Sequence, residues 1–260
     1  AVERRYVLAQ ALRALKVGGV LSIAAPKDRG GLRLARELAD FGCEAHARAL
    51  RHQRLCVCER PAALLGIEAA VAEGGPQVPP RLGLWSQPGL FSWDRLDAGS
   101  ARLLPHLEGL AGEGADFGCG SGALALAVLK SPEVRRLALV DIDRRAVEAA
   151  RRNIADPRAV FLQADLRGGG VERASLDFVA ANPPFHALGD ADVDLGRAFI
   201  AAAAAALKPD GLLRLVANRA LPYEATIAQA FAKVRLLDEE GGYKIIEASA
   251  PRRPVGSRRR

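Results

Sequence analysis

Leu176-Asp177-Phe178-Val179-Ala180-Ala181-Asn182-Pro183-Pro184-Phe185 is the stretch that decides the fold. Its first six residues form a short, mostly apolar run, the signature of a strand buried on both faces of a parallel sheet. The two prolines end it, because neither has an N–H to give to a ladder. They also hold the residues before them in extended geometry. A stiff corner therefore follows the carboxyl end of a strand, where open α/β sheets place their ligands. That corner offers the amide of Asn182, the main-chain carbonyl of Pro183 and the ring of Phe185. The set suits a planar substrate with an exocyclic amino group. Such a nitrogen is a poor nucleophile, because its lone pair is delocalised into the ring. Two acceptors aimed at its two N–H bonds draw it toward a tetrahedral form and free the lone pair. The Asn182 side-chain oxygen and the Pro183 carbonyl are the candidate acceptors. Phe185 is the candidate for stacking on the base. Taken as four residues alone, a plain turn with a helix-packing Phe is the competing account.

Upstream, Asp116-Phe117-Gly118-Cys119-Gly120-Ser121-Gly122 precedes an apolar helix over Ala123 to Leu129. An acid at a strand end, glycines two apart and then a helix make a turn with no side chains in the way. Backbone can then approach a cofactor closely. The spacing is D-x-G-x-G-x-G, not the G-x-G-x-x-G of dinucleotide sites, and it suits a ligand without phosphate. Asp141 stands at the end of a second strand, Leu137 to Val140, where a carboxylate can accept both hydroxyls of a ribose. Asp143 is expected to cap the helix Arg144 to Asn153. Asp165 follows a third strand, Ala159 to Gln163, and can take a hydrogen bond from an adenine amino group. His186 is a candidate to contact substrate or carry a proton, with a solvated loop histidine as the default reading. Beyond it, Gly211 to Ala217 reads as a strand, with Pro222 at the first position of a helix. Lys233 to Asp238 and Tyr243 to Ser249 read as a hairpin around Glu240-Gly241-Gly242. Residues 88–100 lead into a helix carrying Leu103, Leu104 and Leu107, and are of a kind that folds over the mouth of a cofactor site.

Of the 260 residues, 50% are hydrophobic and 26% charged, an ordinary globular composition. No segment reaches the roughly 20 apolar residues of a membrane span, so no membrane partner is expected. Cys43, Cys56, Cys58 and Cys119 show neither zinc spacing nor a disulfide framework, which predicts a reducing cytoplasm and no metal. There is no Met, even at position 1, which suggests a fragment or a processed product. The net charge of +7 is uneven. Residues 1–75 hold 12 basic and 8 acidic side chains, and residues 251–260 hold five Arg and no acid. Positive charge on accessory parts suits a polyanionic partner, with a merely solubilising surface as the alternative.

The front of the chain repeats the back. A helix over 1–16, with Val7, Leu8, Leu12 and Leu15 on one face, leads to a strand over Val20 to Ala25, a helix over Gly31 to Phe41 and strands over 44–50 and 54–59. Ala14 to Ala25 lines up with Ala206 to Ala217. Residues 1–61 therefore read as the back half of a second, degenerate copy of the domain that follows. The expected domains are 1–75, a partial copy; 76–250, the catalytic domain; and 251–260, a basic tail. The Gly- and Pro-rich residues 74–89 read as a linker.

Asp116 to Gly122, Asp141, Asp165 and Asn182 to Phe185 together resemble class I S-adenosylmethionine-dependent methyltransferases acting on exocyclic or amide nitrogen. Among these, the chain is most similar to the RsmC type of small-subunit ribosomal RNA guanine-N2 methyltransferase. Pro88 to Ser100, Val216-Ala217-Asn218 with Leu221-Pro222-Tyr223, and Gly242-Tyr243-Lys244 look like that family's pattern. The resemblance covers residues 85–250 well and 1–75 loosely; the front of the family's degenerate N-terminal domain is missing here. It implies an α/β fold: a Rossmann-like seven-stranded sheet, mainly parallel with the last strand antiparallel, preceded by a partial methyltransferase-like domain. It implies S-adenosylmethionine contacts from Asp116, Gly118, Gly120, Asp141, Asp165 and Asn182. Asn182, Pro183 and Phe185 would hold the target base, with His186 beside them. Small-subunit ribosomal RNA is the implied partner, and a monomer is expected. The rivals are methylation of adenine N6 or a protein glutamine, a nicotinamide-dependent oxidoreductase, and a non-catalytic RNA-binding module with a vestigial pocket. Phe185 in place of Tyr disfavours the first. The glycine spacing disfavours the second, and the intact Asp141, Asp165 and Asn182 disfavour the third.

Overall fold

The computed structural model describes residues 1–184 and 190–252, with side chains from 194 onward in the second stretch. The chain forms two compact units, residues 1–77 with 87–89, and residues 78–86 with 90–260.

The first unit runs α1 (Val2–Ala14), β1 (Val20–Pro26), α2 (Leu34–Asp40), β2 (Ala45–Leu50), β3 (Gln53–Glu59) and α3 (Ile67–Gly74). Its sheet has the order β1-β3-β2 and is antiparallel throughout. Leu8, Leu12, Leu34, Leu38, Phe41, Cys56 and Ile67 form its core. The buried face of α1 is Leu8, Ala9 and Leu12, while Val7 is half exposed. The apolar stripe is thus rotated slightly from the expected one. α3 was not expected; its Ala- and Glu-rich sequence carries little apolar periodicity, yet Ile67 and Ala70 are buried.

The second unit contains α4 (Ala98–Leu103), β4 (Gly112–Phe117), α5 (Ala123–Val128), β5 (Val134–Asp141), α6 (Arg144–Asn153) and β6 (Ala159–Gln163). It continues with β7 (Leu176–Ala181), α7 (Asp190–Ala206), β8 (Leu207–Asn218), α8 (Tyr223–Ala230), β9 (Phe231–Glu240) and β10 (Tyr243–Pro251). The strand order is β6-β5-β4-β7-β8-β10-β9. β4 to β8 pair in parallel, and β10 is antiparallel to both neighbours. One face is covered by Leu103, Leu124, Val128 and Ala150, the other by Phe199, Ile200, Ala203 and Ile227. The central strands are buried on both faces, which is why β7 reads as a mostly apolar run, interrupted only by Asp177. Gly114 in β4 sits opposite Phe178 in β7, and a Cβ there would lie 2.1 Å from the Phe178 ring. Gly241 and Gly242 turn the β9–β10 hairpin with φ of 60° and 84°, both in the left-handed region that a two-residue I′ turn needs.

Three sequence expectations shift. Pro105 converts the continuation of α4 into a 3-10 turn over Leu104–Leu107. Pro222 is the residue before α8, not its first helical position. Residues 78–86 are not a free linker: they belong to the second unit, where the Trp85 N–H donates to Asn153 Oδ1 at 2.7 Å.

Two ladders in the separate sheets match residue for residue. β1 pairs with β3 from Val20↔Glu59 to Pro26↔Gln53. β8 pairs with β10 from Leu212↔Ser249 to Asn218↔Tyr243. Under the alignment of Ala14–Ala25 with Ala206–Ala217, Val20 and Leu212 are the same position. In the first sheet β3 lies between β1 and β2, and in the second β10 lies between β8 and β9.

Candidate active site

The glycine loop leaves β4 and is pinned to the end of β5. The Gly118 and Cys119 N–H groups donate to the Val140 carbonyl at 2.8 and 3.1 Å. The Gly120 N–H donates to Asp141 Oδ2 at 3.0 Å. The loop needs glycine for its backbone: φ is 74° at Gly118 and 52° at Gly120. A Cβ on Gly118 would meet the Phe199 ring at 3.1 Å, whereas one on Gly120 would face open space. Asp141 Oδ1 accepts from the Asp143 N–H at 2.9 Å, so one carboxylate fixes the loops after β4 and β5 together. Burial pushes its pKa up, and these amides pull it back in part. Asp143 caps α6 as expected, accepting from the Arg145 N–H at 2.8 Å.

Asp116, the penultimate residue of β4 before this loop, is fully buried, with no hydrogen-bond partner on either carboxylate oxygen among the described residues. Burial, and then the negative charge of Asp141, push its pKa up to about 7. Asp165 follows β6 and is more open. It caps a short turn by accepting from the Arg167 N–H at 2.9 Å, and its other oxygen pairs with the Arg167 guanidinium at 2.7 Å. The hydrogen bond from Arg167 holds its pKa below the usual carboxylate value.

Asn182 directly follows β7 and is buried. Its Nδ2 donates to Asp97 Oδ2 and to Ser100 Oγ, both at 2.8 Å. Its Oδ1 is buried and has no hydrogen-bond partner among the described residues. A cleft joins Asn182 to Gly118, Cys119 and Gly120 of the loop and to Phe91 and Asp97 of the segment before α4. The structure thus brings together the glycine loop and the Asn-Pro corner, with residues 91–100 along the same cleft. Asp116 and Asp141 do not line it; Asp141 reaches it only through its hold on the Gly120 N–H. Asp165 does not line it. Pro183 is buried beside Asn182, while Phe185 and His186 lie outside the described residues.

Sequence reasoning assigned no role to Asp97 and Ser100. An Asp followed three residues later by Ser ahead of a leucine-rich stretch signals a helix cap. Contact with a residue 85 positions away has no local signal.

A seven-stranded sheet in this order, with a glycine loop after its central strand and an Asn-Pro-Pro corner after the next, defines a class I methyltransferase. The chain belongs to the Methyltransferase small domain family, whose model matches residues 81–247. Ribosomal RNA small subunit methyltransferase C of Pseudomonas aeruginosa (strain LESB58) is 36% identical over 258 residues, 94% of this chain and 74% of that protein. The enzyme of the same name from Pseudomonas putida (strain F1) is 34% identical over 235 residues, 85% of this chain and 68% of that protein. The solved structure of the T. thermophilus 16S rRNA N2 methyltransferase RsmC, in complex with AdoMet and guanosine, has a TM-score of 0.78 at 27% identity. That match covers 96% of this chain and 69% of the T. thermophilus one.

Proposed function

We infer that this chain transfers a methyl group from S-adenosylmethionine to the exocyclic N2 of guanine in small-subunit ribosomal RNA. The observation that carries the inference is the Asn182 Oδ1: a buried acceptor without a partner among the described residues, at a cleft shared with the glycine loop. The residues present fit the cofactor. An unpartnered buried carboxylate at Asp116 and a side-chain-free approach at Gly120 are what a compact cation with a hydroxylated sugar requires. Asp116, Gly118, Gly120 and Asp141 are assigned to holding it. Asp165 is assigned to the adenine amino group; a carboxylate has about four acceptor sites, so its bonds to Arg167 leave capacity.

S-adenosylmethionine supplies an electrophilic methyl group on a sulfonium centre. The chain supplies alignment and two acceptors. Asn182 Oδ1 takes one N2–H of the base and the Pro183 carbonyl the other, which localises the nitrogen lone pair and aims it. Phe185 is assigned to stacking on the base and His186 to its rim. No strong base is needed, because the product ammonium is acidic enough to lose its proton to water. Residues 1–75 are assigned as a degenerate partial copy of the catalytic domain 76–250, a reading supported by the matched β1–β3 and β8–β10 ladders. Residues 251–260 form a basic tail. The molecule is assigned as a monomer acting in the cytoplasm without a metal.

The test is labelled cofactor with separated small- and large-subunit RNA, followed by mapping of the label. Label on N2 of a small-subunit guanine is expected. Asn182→Ala should lower turnover at least about 100-fold, the scale of removing one aligned polar group from a transition state. Cofactor affinity by calorimetry should survive. Equal activity in the variant would remove Asn182 from the chemistry.

A further inference from the structure

We propose that Asp97 is the positioning residue of the transfer: its carboxylate sets which end of the Asn182 amide faces the substrate. This deepens the function assigned above and rests on it. The oxygen and nitrogen of a side-chain amide occupy nearly the same space, so shape alone leaves Asn182 two orientations. One presents an acceptor to the guanine amine. The other presents N–H2 to N–H2, which repels the base and withdraws no hydrogen.

The neighbours decide between them. An ionised carboxylate can only accept hydrogen bonds. Asp97 Oδ2 lies 2.8 Å from Nδ2, and turning the amide round would set two acceptors against each other at that distance. Ser100 Oγ, also 2.8 Å from Nδ2, can donate or accept and therefore does not discriminate. Direction thus comes from Asp97. That carboxylate is itself fixed, because the same Oδ2 accepts the Ser100 N–H at 2.9 Å and caps α4. The first turn of α4 has little freedom: a Cβ on Gly99 would lie 3.0 Å from the Tyr243 ring. With both Nδ2 hydrogens engaged and the amide buried, Oδ1 is the one polar atom of the side chain left to serve a ligand.

Capping and positioning separate by substitution. Asp97→Ser keeps a cap but is too short to hold Nδ2. Asp97→Ala loses both functions, and Asp97→Asn keeps an acceptor oxygen. The chain has three asparagines, Asn153, Asn182 and Asn218, so selective ¹⁵N-asparagine labelling resolves each side-chain amide. The Asn182 amide protons should exchange at least about tenfold faster in Asp97→Ser than in the unaltered chain, with the Asn153 pair unmoved as internal reference. With saturating cofactor and small-subunit RNA, kcat should fall about 10- to 100-fold in Asp97→Ser and Asp97→Ala, with KM for RNA within about twofold. Asp97→Asn should recover at least tenfold of the loss. Unchanged exchange in Asp97→Ser would overturn the proposal, as would an Asp97→Ser enzyme with full kcat or an Asp97→Asn enzyme as slow as Asp97→Ala. If the unaltered chain labels no guanine, the assigned function fails, and the exchange measurement still decides what Asp97 does.

Discussion

Asp116 is fully buried with both carboxylate oxygens unpartnered, and its pKa is pushed from 3.8 up to about 7, first by burial and then by the charge of Asp141. In the unfolded chain the same carboxyl titrates near its ordinary value. The native state therefore binds the proton more tightly, and folding takes one up between about pH 4 and pH 7. The stability tied to this proton is complete below about pH 4 and is lost as pH rises through 7. Asp116→Asn, which is neutral at every pH, should be more stable than the unaltered chain at pH 8, by up to about 4 kcal/mol. The gap should close toward pH 4. Thermal melts across that range check it; a pH-independent difference would mean the carboxylate is ionised and paired when folded. The positions of Asp116, Asp141 and Asn182 were legible because each acid or amide falls at the end of an apolar run. What each one touches was not. The Asp141 bonds to the Gly120 and Asp143 amides, and the grip of Asp97 on Asn182, are set by loop paths that leave no mark on neighbouring residues.

β6 and β7 have the bounds the sequence led one to expect, Ala159–Gln163 and Leu176–Ala181. Their apolar runs stop at residues that cannot continue a buried strand. β5 begins earlier than expected, at Val134, because Arg135 and Arg136 extend it while exposed at the sheet's end. Charge there masked a strand made by pairing alone. Inside the sheet, β4 and β7 fit through a complementary pair: Gly114 yields the space that the Phe178 ring fills. Gly114→Ala should destabilise the second unit by about 1–3 kcal/mol, the usual range for overpacking. Phe178→Leu alone should also cost stability. The double variant should recover part of the loss, with a coupling of about 0.5–3 kcal/mol in a denaturant cycle. Strict additivity would show that the added methyl is relieved elsewhere.

The whole chain carries +7, with five Arg in residues 251–260 and an excess of 4 basic residues over 1–75. The rest of the catalytic domain is therefore near neutral, and affinity for RNA should come largely from these accessory parts. Binding should fall steeply with salt, with a log–log slope of about −0.7 per phosphate contact on single strands. Removing residues 251–260 should flatten that slope, and so should reversing Arg48 and Arg51, which are exposed at the β2–β3 hairpin. A salt-independent affinity would leave the basic segments without a part in binding. The seven-stranded, mainly parallel sheet and its cofactor could be anticipated through the family resemblance that the acid and glycine spacings carry; the strand order could not. The exact division into two units could not, since residues 78–86 and 87–89 go to different units through contacts distant in sequence.

The proposed duplication makes the polypeptide its own paralogue comparison. Over the seven paired positions, Val20/Leu212, Leu21/Leu213, Ile23/Leu215, Ala24/Val216 and Ala25/Ala217 are apolar in both repeats. The two that differ are Ser22/Arg214 and Pro26/Asn218. Arg214 pairs with Glu247 and donates to the His106 and Glu108 carbonyls, and Asn218 accepts from the Ala220 N–H. On that proposed duplication, the positions that differ are those that bond to neighbouring elements in the second repeat, while the apolar positions a strand needs are kept.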